Sequence, residues 1–415
     1  MIGKPDRYGL QTAEQGEAQE RRHCRSADRK KEMMRYIYAD NAATTKMSET
    51  ALRVMTECME EYYGNPSSLH AEGQRAAAKL QEAREQTAAC IGAQPREIYF
   101  TSGGSEADNQ AILTAAQIGR ANGKKHLIST AFEHHAVLHS LRRLEKEGFE
   151  ITLLNPDCDG FITADQVRQA IRRDTVLVSV MAANNEIGTI QPVAEIGAVC
   201  REAGVLFHTD AVQAAGHIPL DVDAMKLDML SLSGHKFHGP KGTGALYVRQ
   251  GIPVSSLIEG GAQERGRRAG TENLPAIAAM AAALEEACSH MEENAAYVTA
   301  LRDRLIDALT AIPQAKLNGS RNNRLPGNVN IMLPGVESET LLMLLDQNGI
   351  AASSGSACAS GSLDPSHVLL AIGLTPKEAR SSIRLSLCET NTQEDAERIA
   401  QVMPELVNRL RRMAE

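Results

Sequence analysis

The chain has 415 residues, of which 43% are hydrophobic and 23% are charged, and its formal net charge is -8. The composition is that of a soluble globular protein and the length favours two domains, while the negative net charge gives no electrostatic reason to expect nucleic acid as a partner. No apolar run reaches the roughly 18 residues of a membrane helix. The eight cysteines form no C-x-x-C pair, which argues against a disulfide framework or a four-thiolate zinc site and favours a reducing cytoplasm.

The N-terminal 35 residues are polar and mixed in charge, so we expect a disordered leader without the apolar core of a secretory signal. Met33 and Met34 directly precede the first ordered segment, which makes them alternative translation starts. Helices are then predicted over residues 48–63 and 71–91, with a break at the Gly-Asn-Pro-Ser-Ser run between them.

From residue 97 onward, strands, glycine turns and helices alternate, which is the pattern of a mostly parallel sheet covered on both faces. The predicted strands span residues 98–101, 126–130, 151–154, 175–182, 205–209, 227–232 and 245–248, and the helix after the first of them spans 106–118. The last third of the chain predicts a smaller α+β domain. We therefore expect an α/β fold with a large domain over residues 47–293 and a small domain over 36–46 and 294–415.

Lys236 lies at a predicted strand end, after Ser-Gly-His and before a Gly/Pro turn. A lysine held there can form an imine with an aldehyde when desolvation or a nearby cation keeps its amine partly neutral. A surface lysine in a hairpin loop is the alternative. A phosphate-binding P-loop fits poorly, because Gly239 is followed by Pro240 and Lys241 instead of Lys and then Ser or Thr.

Other polar residues also follow predicted strands, where ligands bind in sheets of this kind. They are Ser105, His134, Asn185, Asp210 and Gln213. The turn at 102–105 opens a helix whose backbone N–H groups can hold a phosphate, although a simple tight turn explains it equally. Asp210 follows a buried strand and requires a cationic or donor partner, such as a protonated pyridine nitrogen, unless it only caps the next helix.

Three further residue types suggest chemistry. His135 and His139 lie one helical turn apart, but no third metal ligand is evident, and we prefer His134 as an aromatic plate. Cys358 lies among Ser and Gly residues, where an accessible thiol indicates a nucleophile; the alternative is a bystander cysteine in a linker. Arg384 is a lone charge in a strand-like run, which either a substrate carboxylate or a structural ion pair explains.

The sequence also contains seven short motifs, four of which include Ser105, Asn185, Lys236 and Cys358, respectively. The motifs are YADNAATT at 38–45, GNPSS at 64–68, TSGGSE at 101–106, NNEIG at 184–188, SGHK at 233–236, RRAGT at 267–271 and SSGSAC at 353–358. Together they resemble the NifS/IscS-type cysteine desulfurases, members of the class-V aminotransferase family that use pyridoxal phosphate on the fold type I architecture. The resemblance runs from about Tyr36 to the end of the chain.

The resemblance implies removal of sulfur from L-cysteine, giving L-alanine and a persulfide on Cys358 that an iron–sulfur scaffold or another acceptor protein takes over. Cys358 would also be a cluster ligand during transfer. Lys236 would carry the cofactor as a Schiff base. At the cofactor ring, His134 would stack on the ring, Asp210 would pair with the pyridine nitrogen, and Gln213 would contact the ring oxygen. Asn185 would contact the cofactor and, together with Arg384, the substrate carboxylate. The phosphate would be held by Gly104, Ser105, Ser233 and His235, and by Thr271 from the other subunit of a homodimer.

Two other functional classes stay open at this point. A selenocysteine lyase or a related pyridoxal phosphate aminotransferase would share Lys236 and Asp210, although an aminotransferase has no use for Cys358. A catalytically silent sulfur carrier would bind no chromophore. The chain ends soon after Arg411 and Arg412, so we expect it to lack the C-terminal extension by which some relatives dock a scaffold protein.

Overall fold

The computed structural model describes residues 35–354 and 364–414. Most of the predicted leader and all of the segment around Cys358 therefore lie outside the described residues. Arg35, which the sequence placed in the leader, is described, and its guanidinium lies 3.2 Å from the carboxylate of Asp395. No helix among the described residues is long and apolar enough to cross a membrane.

The described residues form twelve strands. In chain order they are β1 (Ile37–Tyr38), β2 (Ile98–Thr101), β3 (His126–Thr130), β4 (Glu150–Leu154), β5 (Thr175–Ser179), β6 (Leu206–Asp210), β7 (Met229–Ser233), β8 (Gly244–Val248), β9 (Lys316–Leu317), β10 (Asn328–Met332), β11 (Ile350–Ala351) and β12 (Ser382–Ser386). Seven of them make the central sheet, in the order β2-β8-β7-β6-β5-β3-β4. Only β8 runs in the opposite direction to the other six strands. The predicted mostly parallel sheet is confirmed.

The strand boundaries differ most at β5, which ends at Ser179 instead of the predicted residue 182. The backbone nevertheless stays beside β6, since Val180 N donates to His208 O at 3.1 Å and Ala182 N to Asp210 O at 2.8 Å. The prediction therefore followed the extended conformation beyond the last regular ladder pair. This extension carries the chain to the edge where Asp210 ends β6.

Twelve helices are labelled along the described residues. They are α1 (Glu49–Glu61), α2 (Ala71–Ala89), α3 (Gly104–Asn122), α4 (His135–Lys146), α5 (Ala164–Ala170), α6 (Val193–Ala203), α7 (Leu274–Ser289), α8 (Met291–Thr310), α9 (Ser338–Gln347), α10 (His367–Ala371), α11 (Pro376–Arg380) and α12 (Gln393–Ala414). Shorter helical turns occur at Pro95–Glu97, Gly234–Lys236 and Gln263–Gly266. Helix α3 begins at Gly104, two residues before its predicted start, so the second half of the predicted turn at 102–105 belongs to the helix.

The central sheet is buried on both faces. In β3, Leu127 packs in the cluster formed with α3 and α4, whereas the next residue, Ile128, packs in the cluster formed with α1, α2 and α7. Leu177 and Val178 divide in the same way in β5. Successive strand side chains point to opposite faces, so a sheet covered twice requires continuous apolar runs.

A third apolar cluster surrounds the antiparallel sheet β12-β10-β9. Helices α8, α9 and α12 contribute most of its remaining residues, and Ile37 and Ala39 join it from the start of the described chain. The predicted division into a large and a small domain stays a prediction. This cluster is consistent with it, because it combines residues near 36–46 with residues from 298 onward.

Candidate active site

A cavity of about 380 Å³ lies where several parallel strands end. Ten of the twelve residues predicted for the site line it: Gly104, Ser105, His134, Asn185, Asp210, Gln213, Ser233, His235, Lys236 and Arg384. Thr271 is exposed in this chain and does not belong to the cavity wall. Cys358 lies outside the described residues. The convergence follows from the topology, since parallel strands deliver their following turns to one edge of the sheet.

Lys236 is the last residue of the helical turn that follows β7. Its Nζ donates hydrogen bonds to Ala42 O at 2.7 Å and to Ala43 O at 2.8 Å, and its own carbonyl oxygen contacts His217 Nε2 at 3.0 Å. The side chain is partly buried against the cavity, so the alternative of a surface lysine in a hairpin does not describe it. Two carbonyl acceptors stabilise the charged ammonium.

Asp210 and Asp108 form a buried carboxyl pair at the base of the cavity. Asp210 Oδ1 accepts from Val212 N at 2.9 Å, so the residue both caps the following turn and lines the cavity. Burial raises the pKa of Asp210, and nearby His134 lowers it. Burial and then the charge of Asp210 raise the pKa of Asp108 well above its usual range, and Asp108 Oδ1 has no hydrogen-bond partner within the described structure. Asp108 is therefore the neutral member.

His134 stands at the N-cap of α4, where its Nδ1 accepts from Ala136 N at 3.2 Å. This hydrogen bond fixes one ring edge while the ring lines the cavity. The preceding residue, Glu133, is fully buried; Thr130 Oγ1 at 2.8 Å and Met181 N at 2.9 Å donate to its Oε1. Burial raises the pKa of Glu133 to about 8.

The first turn of α3 forms the other end of the site. Its N-cap residue, Gly103, supplies no side-chain cap, so the first N–H groups are left to a ligand. A second cavity of about 370 Å³ adjoins this turn and shares Gly104, Ser105, Ser233 and His235 with the first. A Cβ on Gly104 would lie 2.5 Å from Val212 Cγ2, so only glycine fits there.

Arg384, on β12, closes the cavity from the side of the antiparallel sheet and is 1% exposed. One terminal nitrogen lies 2.9 Å from Asp40 Oδ1, and the other donates to Asn185 O at 2.8 Å. The ion pair that the sequence allowed is therefore present. The same guanidinium also lines the cavity, where an anionic substrate group would meet it.

Both described flanks of residues 355–363 adjoin the site. Ser353 pairs with Arg384 through backbone hydrogen bonds of 3.0 and 2.6 Å. On the other flank, Ser366 Oγ donates to the buried carboxylate of Glu186, and His367 Nε2 contacts Glu133 O at 2.9 Å. The described residues on both sides of this segment therefore lie at the cavity.

The pair His135 and His139 does not form a metal site within the described structure. Their rings stack with centroids 5.0 Å apart, and the ring of His367 lies 4.6 Å from that of His135. Burial, followed by the neighbouring His367, lowers the pKa of His135 to about 4. His135 is therefore neutral, and its ring packs against those of His139 and His367 beside the cavity.

Sequence reasoning missed four groups of the site: the buried Asp108, Glu133 and Glu186, and the half-buried His367. One signal was available for Asp108, which lies one helical turn after Gly104 on the apolar face of α3. Glu133 and Glu186 stand next to predicted site residues, but adjacency alone does not reveal that a carboxylate is buried. His367 follows a segment whose course the sequence does not determine.

The comparisons with known proteins agree with this geometry. The family described as aminotransferase class-V matches residues 37–399. A protein named cysteine desulfurase IscS from Methanosarcina thermophila is 50% identical over 378 residues, which cover 91% of this chain and 93% of the relative. A second cysteine desulfurase IscS, from Clostridium botulinum, is 49% identical over 385 residues, with 92% and 97% covered.

Solved structures give the same result. A NifS-like protein superposes with a TM-score of 0.85 and 36% identity, covering 90% of this chain and 99% of that one. A NifS-like protein from Rickettsia africae has a TM-score of 0.81 and 30% identity, with 90% and 99% covered. A structure described as SspA in complex with cysteine has a TM-score of 0.75 and 38% identity, with 86% and 100% covered.

Proposed function

The chain belongs to the class-V aminotransferase family and is a cysteine desulfurase of the NifS/IscS type, and on that premise we propose how its own residues perform the reaction. The observation that carries the proposal is the convergence of Lys236, Asp210 and Arg384, from distant parts of the chain, on one cavity. Sulfur leaves L-cysteine, L-alanine is the product, and Cys358 receives the sulfur as a persulfide.

Pyridoxal phosphate is the proposed cofactor, and three features of the cavity fit it. The uncapped first turn of α3, with Ser105, Ser233 and His235, suits a phosphate. The buried Asp210 suits a protonated ring nitrogen, which would satisfy a carboxylate that burial otherwise disfavours. Lys236 offers the amine. When bound, the cofactor supplies an electron sink for bond cleavage at the substrate.

The protein's own groups then position the substrate and move protons. Arg384 and Asn185 hold the substrate carboxylate, with Asp40 fixing the guanidinium from behind. Lys236 exchanges protons with the substrate as a general acid and base. The thiolate of Cys358 attacks the substrate sulfur, a sulfur–sulfur bond forms, and the bond from that sulfur to the substrate carbon breaks.

We propose the partners from the same resemblance. Thr271, exposed in this chain, would reach the phosphate of the neighbouring subunit in a homodimer, and Cys358 would hand its sulfur to an iron–sulfur scaffold or another acceptor protein. The proposed compartment is the cytoplasm, where a reactive thiol stays reduced.

The test is a balance of products from L-cysteine. The purified protein should show the absorption of bound pyridoxal phosphate and release alanine and sulfide in equal amounts in the presence of a reductant. Alanine should form from the cysteine carbon skeleton, which labelled cysteine establishes. Pyruvate in place of alanine, or transfer of the amino group to a keto acid, would refute the desulfurase assignment.

A further inference from the structure

A second cluster of ligand-type side chains lies outside the active site, within the described part of the chain. His238, Cys388 and Glu389 bring one nitrogen, one sulfur and one carboxylate oxygen within 4.8 Å of one another. The side chain of His238 is 11% exposed and that of Glu389 34%, and Cys388 is buried. The residues come from two distant segments, the turn after Lys236 and the chain after β12, so the fold and not local sequence assembles them.

The ring of His238 is oriented as metal-binding histidines are. Its Nδ1 lies 2.8 Å from the carbonyl oxygen of Lys46, which can only accept, so Nδ1 carries a hydrogen and Nε2 faces the cluster. The backbone of His238 has a φ of 64°, an uncommon conformation for a residue with a side chain. Hydrogen bonds to Thr45 Oγ1 at 2.8 Å and from Ser48 N at 3.0 Å hold it there.

The other two ligands are also supported. Cys388 Sγ lies 3.1 Å from Thr390 Oγ1, whose hydroxyl can donate to a thiolate. Glu389 Oε1 lies 3.0 Å from His238 Nε2, yet this nitrogen makes no hydrogen bond of acceptable geometry with any described residue. A cation between the three groups would give this buried nitrogen a partner.

We propose that His238, Cys388 and Glu389 bind one divalent cation of the zinc type. Nitrogen, sulfur and oxygen ligands are the donors that zinc takes, and in a tetrahedral zinc site they lie about 3.3–3.8 Å apart. The observed separations approach that range, so small side-chain rotations complete the site. A neighbouring cavity of about 620 Å³ includes all three residues in its wall and admits a water as fourth ligand.

The ion would have a structural role and would take no part in the desulfurase reaction. His238 follows Lys236 by two residues, and Cys388 follows Arg384 by four. Binding would therefore join the turn that presents the reactive amine to the strand that presents the guanidinium. We expect the metal to raise the unfolding temperature, because it binds the folded chain and not the separated ligands.

To test this proposal, the purified full-length protein with its cofactor bound is titrated with Zn2+ in competition with a chromogenic chelator. All variants carry Cys358→Ser, which removes the active-site thiol as a competing ligand. We expect one Zn2+ per chain in this background and in the control Cys158→Ser, which alters an exposed cysteine elsewhere. Cys388→Ser and His238→Gln should weaken binding at least about 100-fold.

A second measurement keeps the test informative if a buried substitution disturbs folding. Co2+ in a tetrahedral thiolate site gives intense visible d–d bands at longer wavelengths than the absorption of the bound cofactor. These bands should appear in the background protein, weaken in Glu389→Gln, and be absent in Cys388→Ser with unchanged circular dichroism. Equal Zn2+ affinity in Cys388→Ser and Cys158→Ser, or no stoichiometric binding in the background protein, would overturn the proposal without affecting the desulfurase assignment.

Discussion

The Nζ atom of Lys236 lies 2.7 Å from the carbonyl oxygen of Ala42, a residue 194 positions earlier in the chain. With the 2.8 Å contact to Ala43 O, it ties the small residues after β1 to the turn after β7. Carbonyl oxygens only accept, so both contacts favour the charged ammonium. The proposed attachment of the cofactor to Lys236 would therefore require the amine to give up these hydrogen bonds.

Replacing Lys236 with alanine should remove both the covalent attachment of the cofactor and the proton transfers at the substrate. We expect alanine and sulfide production to fall by about 10³-fold or more, as when other covalent catalysts lose their reactive group. The absorption band of the lysine-bound cofactor should also disappear. Lys125→Ala, at an exposed lysine, is the matched control and should keep both the band and the rate.

Substitution of the two buried aspartates should separate their roles. Asp210→Asn removes the charge proposed to pair with the ring nitrogen, and we expect kcat to fall about 10²-fold or more. Asp108 is already neutral because burial and Asp210 raise its pKa, so Asp108→Asn should change kcat less than about tenfold. Steady-state kinetics on both variants decides this, and equal losses would contradict a division into charged and neutral members.

Arg384→Lys should mainly weaken substrate binding. Lysine retains the charge but cannot contact Asp40, Asn185 O and a substrate carboxylate at once. Loss of one charge-assisted hydrogen bond costs about 1.5–3 kcal/mol, which corresponds to a rise of about 10- to 150-fold in KM for cysteine. Arg302→Lys alters another buried arginine outside the cavity wall. A KM that rises equally in both variants would indicate general destabilisation.

Glu133 predicts a specific dependence of stability on pH. Its pKa in the folded protein is raised to about 8 from an ordinary value of 4.5 by burial. The folded protein therefore binds the proton more tightly, and this contribution to stability is full below pH 4.5 and is lost as pH rises toward 8. Glu133→Gln, which keeps the acceptor for Thr130 and Met181, should flatten this decline in denaturant unfolding. If the difference in the free energy of unfolding between the parent protein and Glu133→Gln does not change with pH, this prediction is wrong.

The strands were predictable because a sheet buried on both faces requires largely apolar runs, which β5 and β8 show clearly. Lys236 and Asp210 were predictable as site residues for a related reason, since each is a polar residue at or shortly after the end of a strand. The motif resemblance added their individual roles. The family and activity that it implied are confirmed by the matching family and relatives.

The remaining features depend on contacts between distant segments. Nothing near Cys388 in the sequence indicates that it meets His238, because 150 residues separate them. Burial likewise decides the state of Glu133, and a carboxylate in a polar-looking run is exposed far more often than enclosed. The cluster at His238 and the burial of Glu133 can therefore be recognised only once the packing of the folded chain is known.

The measurement that tests the account most directly is sulfur release by Cys358→Ala, compared with Cys158→Ala as a control at another cysteine. The account predicts that Cys358→Ala keeps the cofactor spectrum and still changes it on addition of cysteine, while alanine and sulfide formation fall by about 10³-fold or more. Cys158→Ala should match the parent protein in all three readouts. Alanine and sulfide release by Cys358→Ala near the parent rate would contradict the persulfide mechanism and favour a lyase that needs no thiol acceptor.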